Sequence, residues 1–372
     1  MALSKIPSAG FQDNVKFRNI IINGDMSIAQ RGTSEASVGN SFTYFTVDRF
    51  KLGGSGSSGA RFTMSQDTDV PTGQGFAKSL KMDCTTADGS LGASDSIQIV
   101  QRIEGQNLQY LKKGTSNAES LTLSFWVKSN KTGTYIAELR DTDNNRTISK
   151  AYTIDSASTW EKKTLTFEGD TTGAFDNDNN ASLRLIHWLY AGTDYTSGTL
   201  QTSWGTLTAT DRAVGQVNLA DSTDNDWYIT GVQLEAGTTA SDFEFLPYDV
   251  NLRRCYRYYW GWWDKADAAS NGAIGGMAVN YSSSIVYISG HFPVEMRTTP
   301  SLDQGSGTAF YRFLRASATD FLDDFELSTN NGRTNERGYE LFNNSDISGT
   351  AGHGGWIRCN NASAFVNFDA EL

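Results

Sequence analysis

Proline is scarce in this chain, with 5 among 372 residues, and cysteine is scarcer still, with 3. Cys84, Cys255 and Cys359 lie far apart, which argues against a disulfide framework and against a zinc site. They are expected to be free thiols, at least two of them buried in strands. The three histidines, His187, His291 and His353, fall in no H-x-x-x-H spacing. No run approaches the ~18 apolar residues of a membrane-spanning helix, and "MALSKIPSAGFQDN" lacks the apolar centre of a signal peptide. Membrane insertion and Sec export are therefore not expected. Positive charge is in deficit, 31 Lys and Arg against 42 Asp and Glu, for a net charge of −11. No basic run is longer than the pair in "LRR" at Leu252–Arg254, so nucleic acid is not expected as a partner. A G-x-S-x-G nucleophile elbow is absent. "GSGSSG" at Gly54–Gly59 matches a dinucleotide fingerprint in letters only, because "ARFTMSQ" after it carries no helix signal.

Glycine, at 36 residues, is plentiful, and with serine, threonine and asparagine it punctuates a series of short strand-like runs. These begin with "NIIINGDMSIAQRG" (Asn19–Gly32) and continue through "YFTVDRFKL", "SLKMDC", "SIQIVQRIEG" and "LTLSFWVKS". "TYIAELRD", "KKTLTFEG", "SLRLIHWLY" and "DWYITGVQLEAG" follow. That spacing predicts an all-β chain with an N-terminal jelly-roll or β-sandwich domain over 19–248. Pro247, Tyr248 and Asp249 read as a linker, and "SSIVYISGHFPVEM", "FYRFLRA", "DFELST", "GWIRC" and "SAFVNFDAEL" as strands of a second, smaller β-sandwich over 249–372. Residues 1–18 are polar and unpatterned, the pattern of a flexible or attachment arm.

Alternation assigns faces. In "LTLSFWVKS", Leu121, Leu123, Phe125 and Val127 oppose Thr122, Ser124, Trp126 and Lys128. In "SLRLIHWLY", Leu183, Leu185, His187 and Leu189 oppose Arg184, Ile186, Trp188 and Tyr190; His187 thus reads as a core residue. In "TYIAELRD", Glu138 falls opposite the apolar set. A face that mixes large rings with charge suits a sugar, whose C–H faces stack on rings and whose hydroxyls need polar partners. Trp126, Trp188, Tyr190, Arg184 and Glu138 are the candidate glycan-binding residues. Covering of these rings by a loop, the second domain or a neighbouring subunit is the alternative.

"CYRYYWGWW" concentrates six rings between Tyr256 and Trp263. As an extended strand it sets Tyr256, Tyr258, Trp260 and Trp262 on one face and Tyr259 and Trp263 on the other. Rings on both faces call for burial on both faces, and Arg253, Arg254 and Arg257 argue against a membrane. These six aromatics are expected at a domain junction or subunit interface. "DTDNNRTISKAY" from Asp141 opens like a calcium loop, but Arg146 stands where glycine is needed and Tyr152 where glutamate is. It reads, like "DNDNN" at Asp176–Asn180, as a turn between strands.

"NIIINGDMSIAQRGTS", "FTVDRF", "IQIVQRIE" and "YITGVQLEAGTTASDFEFLPYDVNLRRCYRYY" together resemble a family of phage virion proteins labelled tail-fibre, tail-associated or structural proteins. "GHFPVEMRTTPSL" and the terminal "FDAEL" are similar to their ends. The resemblance implies a virion component partnered by other virion proteins and assembled as a homo-oligomer, with a trimer favoured. The lack of a signal-peptide pattern and of catalytic motifs adds the expectation of synthesis in the host cytoplasm and of no enzymatic activity. The order of segments in the first domain is similar to jelly-roll carbohydrate-binding modules, which implies host-surface polysaccharide as ligand. Such modules often hold a structural calcium; Asp25 matches its first ligand, but Ile229-Thr230-Gly231-Val232 lacks the second, so no cofactor or metal is expected. Two roles remain open: a tail fibre or receptor-binding protein, or a head-decoration or fastening fibre protein that binds no glycan. A depolymerase is a third class, because paired carboxylates cannot be read from sequence.

Overall fold

The computed structural model describes residues 17–263 and 274–372. The expected arm over 1–18 lies outside the described residues except for Phe17 and Arg18. The chain is all-β: an N-terminal jelly-roll-like sandwich followed by a smaller sandwich. Among the described residues no helix is long and apolar enough to cross a membrane.

The first lobe runs through β1 (Ser34–Val38), β2 (Phe42–Thr43), β3 (Lys51–Ser55), β4 (Arg61–Asp67) and β5 (Ser79–Thr86). Then come β6 (Ser96–Glu104), β7 (Leu121–Ser129), β8 (Gly133–Asp141) and β9 (Arg146–Ile154). β10 (Glu161–Phe167), β11 (Ala181–Ala191), the short helix α1 (Thr193–Thr196), β12 (Gly205–Thr206) and β13 (Asp226–Ala236) complete it. One sheet has the order β1-β4-β5-β13-β7-β10 and the other β12-β9-β8-β11-β6-β3-β2, with antiparallel pairs throughout. Between them lies a core to which β7 contributes Leu121, Leu123, Phe125 and Val127, the face that alternation assigned. Each such side chain contributes roughly 1.5–3 kcal/mol by burial.

Two expectations fail here for local reasons. Asn19–Gly32 forms no strand; it is an irregular segment whose ladder is replaced by side-chain amides. Asn19 Nδ2 donates to the Val232 carbonyl, and Asn19 Oδ1 accepts from the Leu234 N–H. Asn23, at φ 61°, donates to the Ile28 and Asp48 carbonyls. Gly24 permits this threading, since a Cβ there would lie 2.0 Å from the Val232 carbonyl oxygen. The expected linker at Pro247–Asp249 is instead the start of helix α2 (Tyr248–Tyr256), with Asp249 in its first turn and Arg253 and Arg254 in its last, the charge order that a helix dipole favours.

The aromatic run therefore divides. Tyr256 closes α2, and β14 (Tyr259–Trp263) is the extended part. β15 (Ile274–Asn280), β16 (Val286–His291), β17 (Ser301–Gln304), β18 (Tyr311–Arg315) and β19 (Ala318–Leu322) follow. The lobe ends with β20 (Glu326–Leu327), β21 (Gly338–Asn343), β22 (Gly354–Cys359) and β23 (Val366–Asp369). A three-stranded sheet, β14-β23-β17, faces a seven-stranded sheet, β19-β18-β22-β15-β16-β21-β20. Trp260 and Trp262 pack against this second core, stacking among Phe292, Tyr339 and Phe368, and Trp263 belongs to it.

Tyr258 and Tyr259 point back into the junction. The Arg49 guanidinium lies 3.4 Å from the Tyr258 ring centre and that of Arg31 lies 3.5 Å from Tyr259. Glu104, at the end of β6 and fully buried, accepts from Arg257 Nε and Nη2 at 2.8 Å each and from the Tyr258 hydroxyl. The chain end returns to the first lobe, where Glu371 pairs with Arg49 and Arg31. Five of the six rings are thus shared between one lobe's core and the seam between lobes, while half-buried Tyr256 closes α2. All three cysteines are buried, Cys84 and Cys359 in strands and Cys255 in α2, and Cys84 and Cys255 are free thiols.

His187 is a core residue, 1% exposed, with its ring 5.0 Å from Phe125 and 6.1 Å from Trp227. Neither ring nitrogen has a partner, and burial pushes its pKa down to about 3. The unfolded chain then binds a proton that the folded chain refuses, so stability falls with pH below about 6.5, by up to about 1.4 kcal/mol per unit. Burial would raise Glu104, but Arg257 and Tyr258 outweigh it and hold the carboxyl below its ordinary value. Its contribution is lost only below about pH 4.3. Urea denaturation between pH 7.5 and 5 should show the first decline, and His187→Leu should flatten it. A slope unchanged by that substitution would assign the acid sensitivity elsewhere.

Candidate functional site

The five sequence-derived glycan candidates do not converge. Trp126 is half-buried on the outer face of the six-stranded sheet, opposite Lys162 and Thr230. Arg184, Trp188 and Glu138 belong to the outer face of the seven-stranded sheet, across the core from it. Tyr190 faces neither way: a bulge between Trp188 and Tyr190 turns both Leu189 and Tyr190 into the core. Simple alternation cannot anticipate that extra residue.

Trp188 and Glu138 are also corrected as ligand contacts, because both are fully buried. Trp188 Nε1 donates to Glu138 Oε2 at 2.9 Å, and Thr147 Oγ1 donates to Glu138 Oε1 at 2.7 Å. Arg212 comes from the segment that crosses this end of the sheet and grips the same carboxylate through Nε and Nη2. Its guanidinium lies 4.9 Å from the Trp188 ring centre, and Tyr195 of the same segment packs at 5.3 Å. The loop that covers these residues satisfies every polar atom they present.

What stays open lies beside them. β6, β11 and β8 are neighbours, and their register sets Arg102 opposite Arg184 and Arg184 opposite Arg140. The next row is Val100, Ile186 and Glu138. A groove runs over this face, lined by Phe42, Gly53, Gln98, Arg140, Arg184 and Tyr195 among others. Phe42 is 43% exposed and lies close on β3, where a Cβ at Gly53 would come within 3.1 Å of its ring. Lys51 Nζ sits 4.2 Å and the Arg102 guanidinium 4.7 Å from that ring's centre. Ser55 Oγ is within hydrogen-bond distance of Ser96 Oγ at 2.7 Å and of the Tyr195 hydroxyl at 3.1 Å. An exposed ring beside a hydroxyl cluster and guanidiniums is a surface able to hold a polyhydroxylated molecule.

The electrostatics of the groove are one-sided. Burial first, and then Arg102 and Arg140, push Arg184 down to about 10. Burial and Arg102 push Lys51 down to about 8. The Nε atoms of Arg102, Arg140 and Arg184 are buried without a hydrogen-bond partner. Of the groove residues only Arg184 was singled out from sequence. Arg140 falls on the same strand face as Glu138, but that signal is local and says nothing of which strands stand beside β8.

Neither sequence-level metal position fits an ion. The Asp25 carboxylate accepts from Ser27 Oγ and from Asn251 Nδ2 of α2, both at 3.1 Å, and Thr230 stands where the second acid would be. In the "DTDNN" turn, Asp141 is met by Lys113 Nζ at 2.6 Å, which also pairs with Asp170 at 3.1 Å. The same ammonium donates to the Thr172 and Gly173 carbonyls. A lysine thus occupies an oxygen cage that would otherwise resemble a cation site. Among the described residues no group of three or more His, Cys, Asp or Glu side chains could hold a metal. Burial would raise Asp170, but Arg146, the Thr172 N–H and Lys113 hold it below its ordinary range. Lys113→Met should cost about 3–5 kcal/mol in urea denaturation, because it strands buried carboxylates. A loss under about 1 kcal/mol would mean that Arg146 alone neutralises them.

No protein-family model matches the sequence, and no curated protein matches it. Among solved structures, the chain is similar to the enzymatically active domain of tailspike protein 4 of bacteriophage CBA120, at 16% identity and a TM-score of 0.31. That match covers 59% of this chain and 21% of the tailspike, well under two thirds of its length. It is also similar to a family 11 carbohydrate-binding module of a cellulosomal cellulase from Clostridium thermocellum, at 13% identity and a TM-score of 0.27, over 55% of this chain and 98% of the module. A third similarity is to the TmCBM61 module in complex with β-1,4-galactotriose, at 10% identity and a TM-score of 0.29, over 59% and 99% of the two chains. Likenesses of this order assign no ligand; the groove stands on its own geometry.

Proposed function

We propose that this chain is a phage virion appendage protein, a tail fibre or receptor-binding protein, that contacts host-surface glycans through the groove on the seven-stranded sheet of its first lobe. The observation that carries this reading is the open groove itself, with the exposed Phe42 ring beside the Ser55–Ser96–Tyr195 hydroxyl cluster and the Arg184 guanidinium. The motif resemblance supports the virion setting. In this reading Phe42 stacks on a sugar face while Gln98 and Arg184 meet its hydroxyl rim, and no bond is broken.

A second reading, structural attachment without a glycan, is favoured by the smaller lobe. On its seven-stranded sheet Met277 stands opposite Trp356, and these residues are 74% and 52% exposed. Val279, 45% exposed, adjoins them on β15. Apolar surface of that kind suits contact with another virion protein or with further copies in a homotrimer.

The two readings separate in one mutational comparison. Phe42→Ala should weaken binding of purified protein to host cells about tenfold with an unchanged melting temperature. Trp188→Ala should instead lower stability by about 3–5 kcal/mol, since it empties a packed site. Cell binding that survives Phe42→Ala would remove the groove from the role. Gold-labelled antibody on intact virions tests the setting: label at tail or fibre tips is expected, and label spread over the capsid shell would favour a decoration protein.

A further inference from the structure

In a chain of net charge −11, an unneutralised row of cations is the feature least explained by folding. Arg102, Arg184 and Arg140 stand abreast on three adjacent strands. Like charges directly opposite on a sheet are destabilising, and buried guanidinium N–H groups without acceptors are more so. Neighbouring strands are about 4.8 Å apart, so the row extends about 10 Å. Arg212 lies beside it but is consumed by Glu138, and Lys51 adds a further cation at the Phe42 end. No carboxylate lines the groove. Among the described residues, none of the three arginines in the row has an ion-pair partner.

We propose that the glycan bound in this groove is an acidic polysaccharide whose sugar carboxylates are taken by Arg184 and Arg140, which line it, and by Arg102, which continues the row at the groove's edge beside Phe42. This rests on the glycan-binding reading above and narrows it to a ligand class. Carboxylate is the matching anion because it is planar and accepts two parallel N–H bonds from a guanidinium fork. A single carboxylate cannot reach along a 10 Å row, so a chain that repeats its negative charge fits better than one charged sugar. Phe42 and Tyr195 supply the flat surfaces that a pyranose ring needs and that a bare anion does not. Burial and neighbouring cations lower Arg184 and Lys51, and an anion seated on the row would relieve that repulsion. Arginine stems alone would cover Val100 and Ile186, but so would glutamine, without the repulsion.

Affinity electrophoresis of the full chain in gels containing polygalacturonate, neutral β-glucan, dextran sulfate or single-stranded DNA tests this. Retardation by polygalacturonate is expected, against the protein's overall negative charge, and it should weaken as salt is added. Arg184→Gln should raise the apparent Kd at least tenfold, while Arg184→Lys, which keeps charge but loses the fork, should fall between. Arg184→Gln should melt no lower than the parent, because it removes repulsion, so lost binding would not be lost folding. Binding of neutral β-glucan that is indifferent to Arg184→Gln would overturn the acidic class while leaving glycan binding in place. Failure of every polysaccharide would overturn both. Tighter binding to dextran sulfate would replace carboxylate by sulfate, and equal retardation by DNA would reduce the row to an unspecific anion patch.

Discussion

The fully buried carboxylate of Glu104, at the end of β6, holds the two lobes in register. A buried charge is stable only when fully paired, and here Arg257 and Tyr258, both from the chain just after α2, close on it. That contact fixes the start of β14, and with it the sheet on which Trp260 and Trp262 pack. Arg49, stacked on Tyr258 and paired with Glu371, draws the end of the chain into the same cluster. The junction is therefore made of charges and rings that satisfy one another, not of a continuous apolar core. Loss of Glu104 would leave Arg257 and the Tyr258 hydroxyl facing each other without an anion.

Two residues earlier, the same strand carries the opposite condition. Arg102 is half-buried and unpaired where Glu104 is buried and over-supplied with partners. A rigid sandwich can carry this difference because Ile97, Ile99 and Ile103 of β6 are locked into the core from the other face. The ladder fixes the face that each residue takes, so the three arginine stems stay on one side of the sheet. Repulsion among Arg102, Arg184 and Arg140 is therefore held in place, and a ligand that supplies anions meets a site already arranged. Preorganised donors of this kind bind with less loss of freedom than flexible ones.

Elsewhere the protein uses side chains where an ion or a strand ladder could stand. Lys113 stands as a cation between Asp141 and Asp170, Asn251 joins Ser27 in donating to Oδ1 of Asp25, and the Asn19 and Asn23 amides tie down an irregular segment in place of a strand ladder. Each device ties distant parts of the chain together through a buried polar group that must stay paired. His187 differs, a ring in the core with no partner on either nitrogen.

The all-β class, two lobes in series and the inward faces of β7 and most of β11 were legible in the sequence. They depend on the two-residue period and on local turn chemistry, which each segment carries by itself. Asn19–Gly32 has strand-like letters but no strand, because its own Asn19 and Asn23 side chains bond backbone elsewhere, as far along the chain as Val232 and Leu234. Tyr190 was assigned outward because a bulge is a property of two strands rather than one. Trp188 and Glu138 looked available because nothing in their own strand announces that Arg212 will close over them. The arginine row was invisible for the same reason. Arg102, Arg140 and Arg184 are separated in sequence by 38 and 44 residues, as their numbers show, and only the antiparallel register of three strands brings them abreast. Local periodicity determines which face a residue takes; which faces meet, and what covers them, is decided by long-range packing.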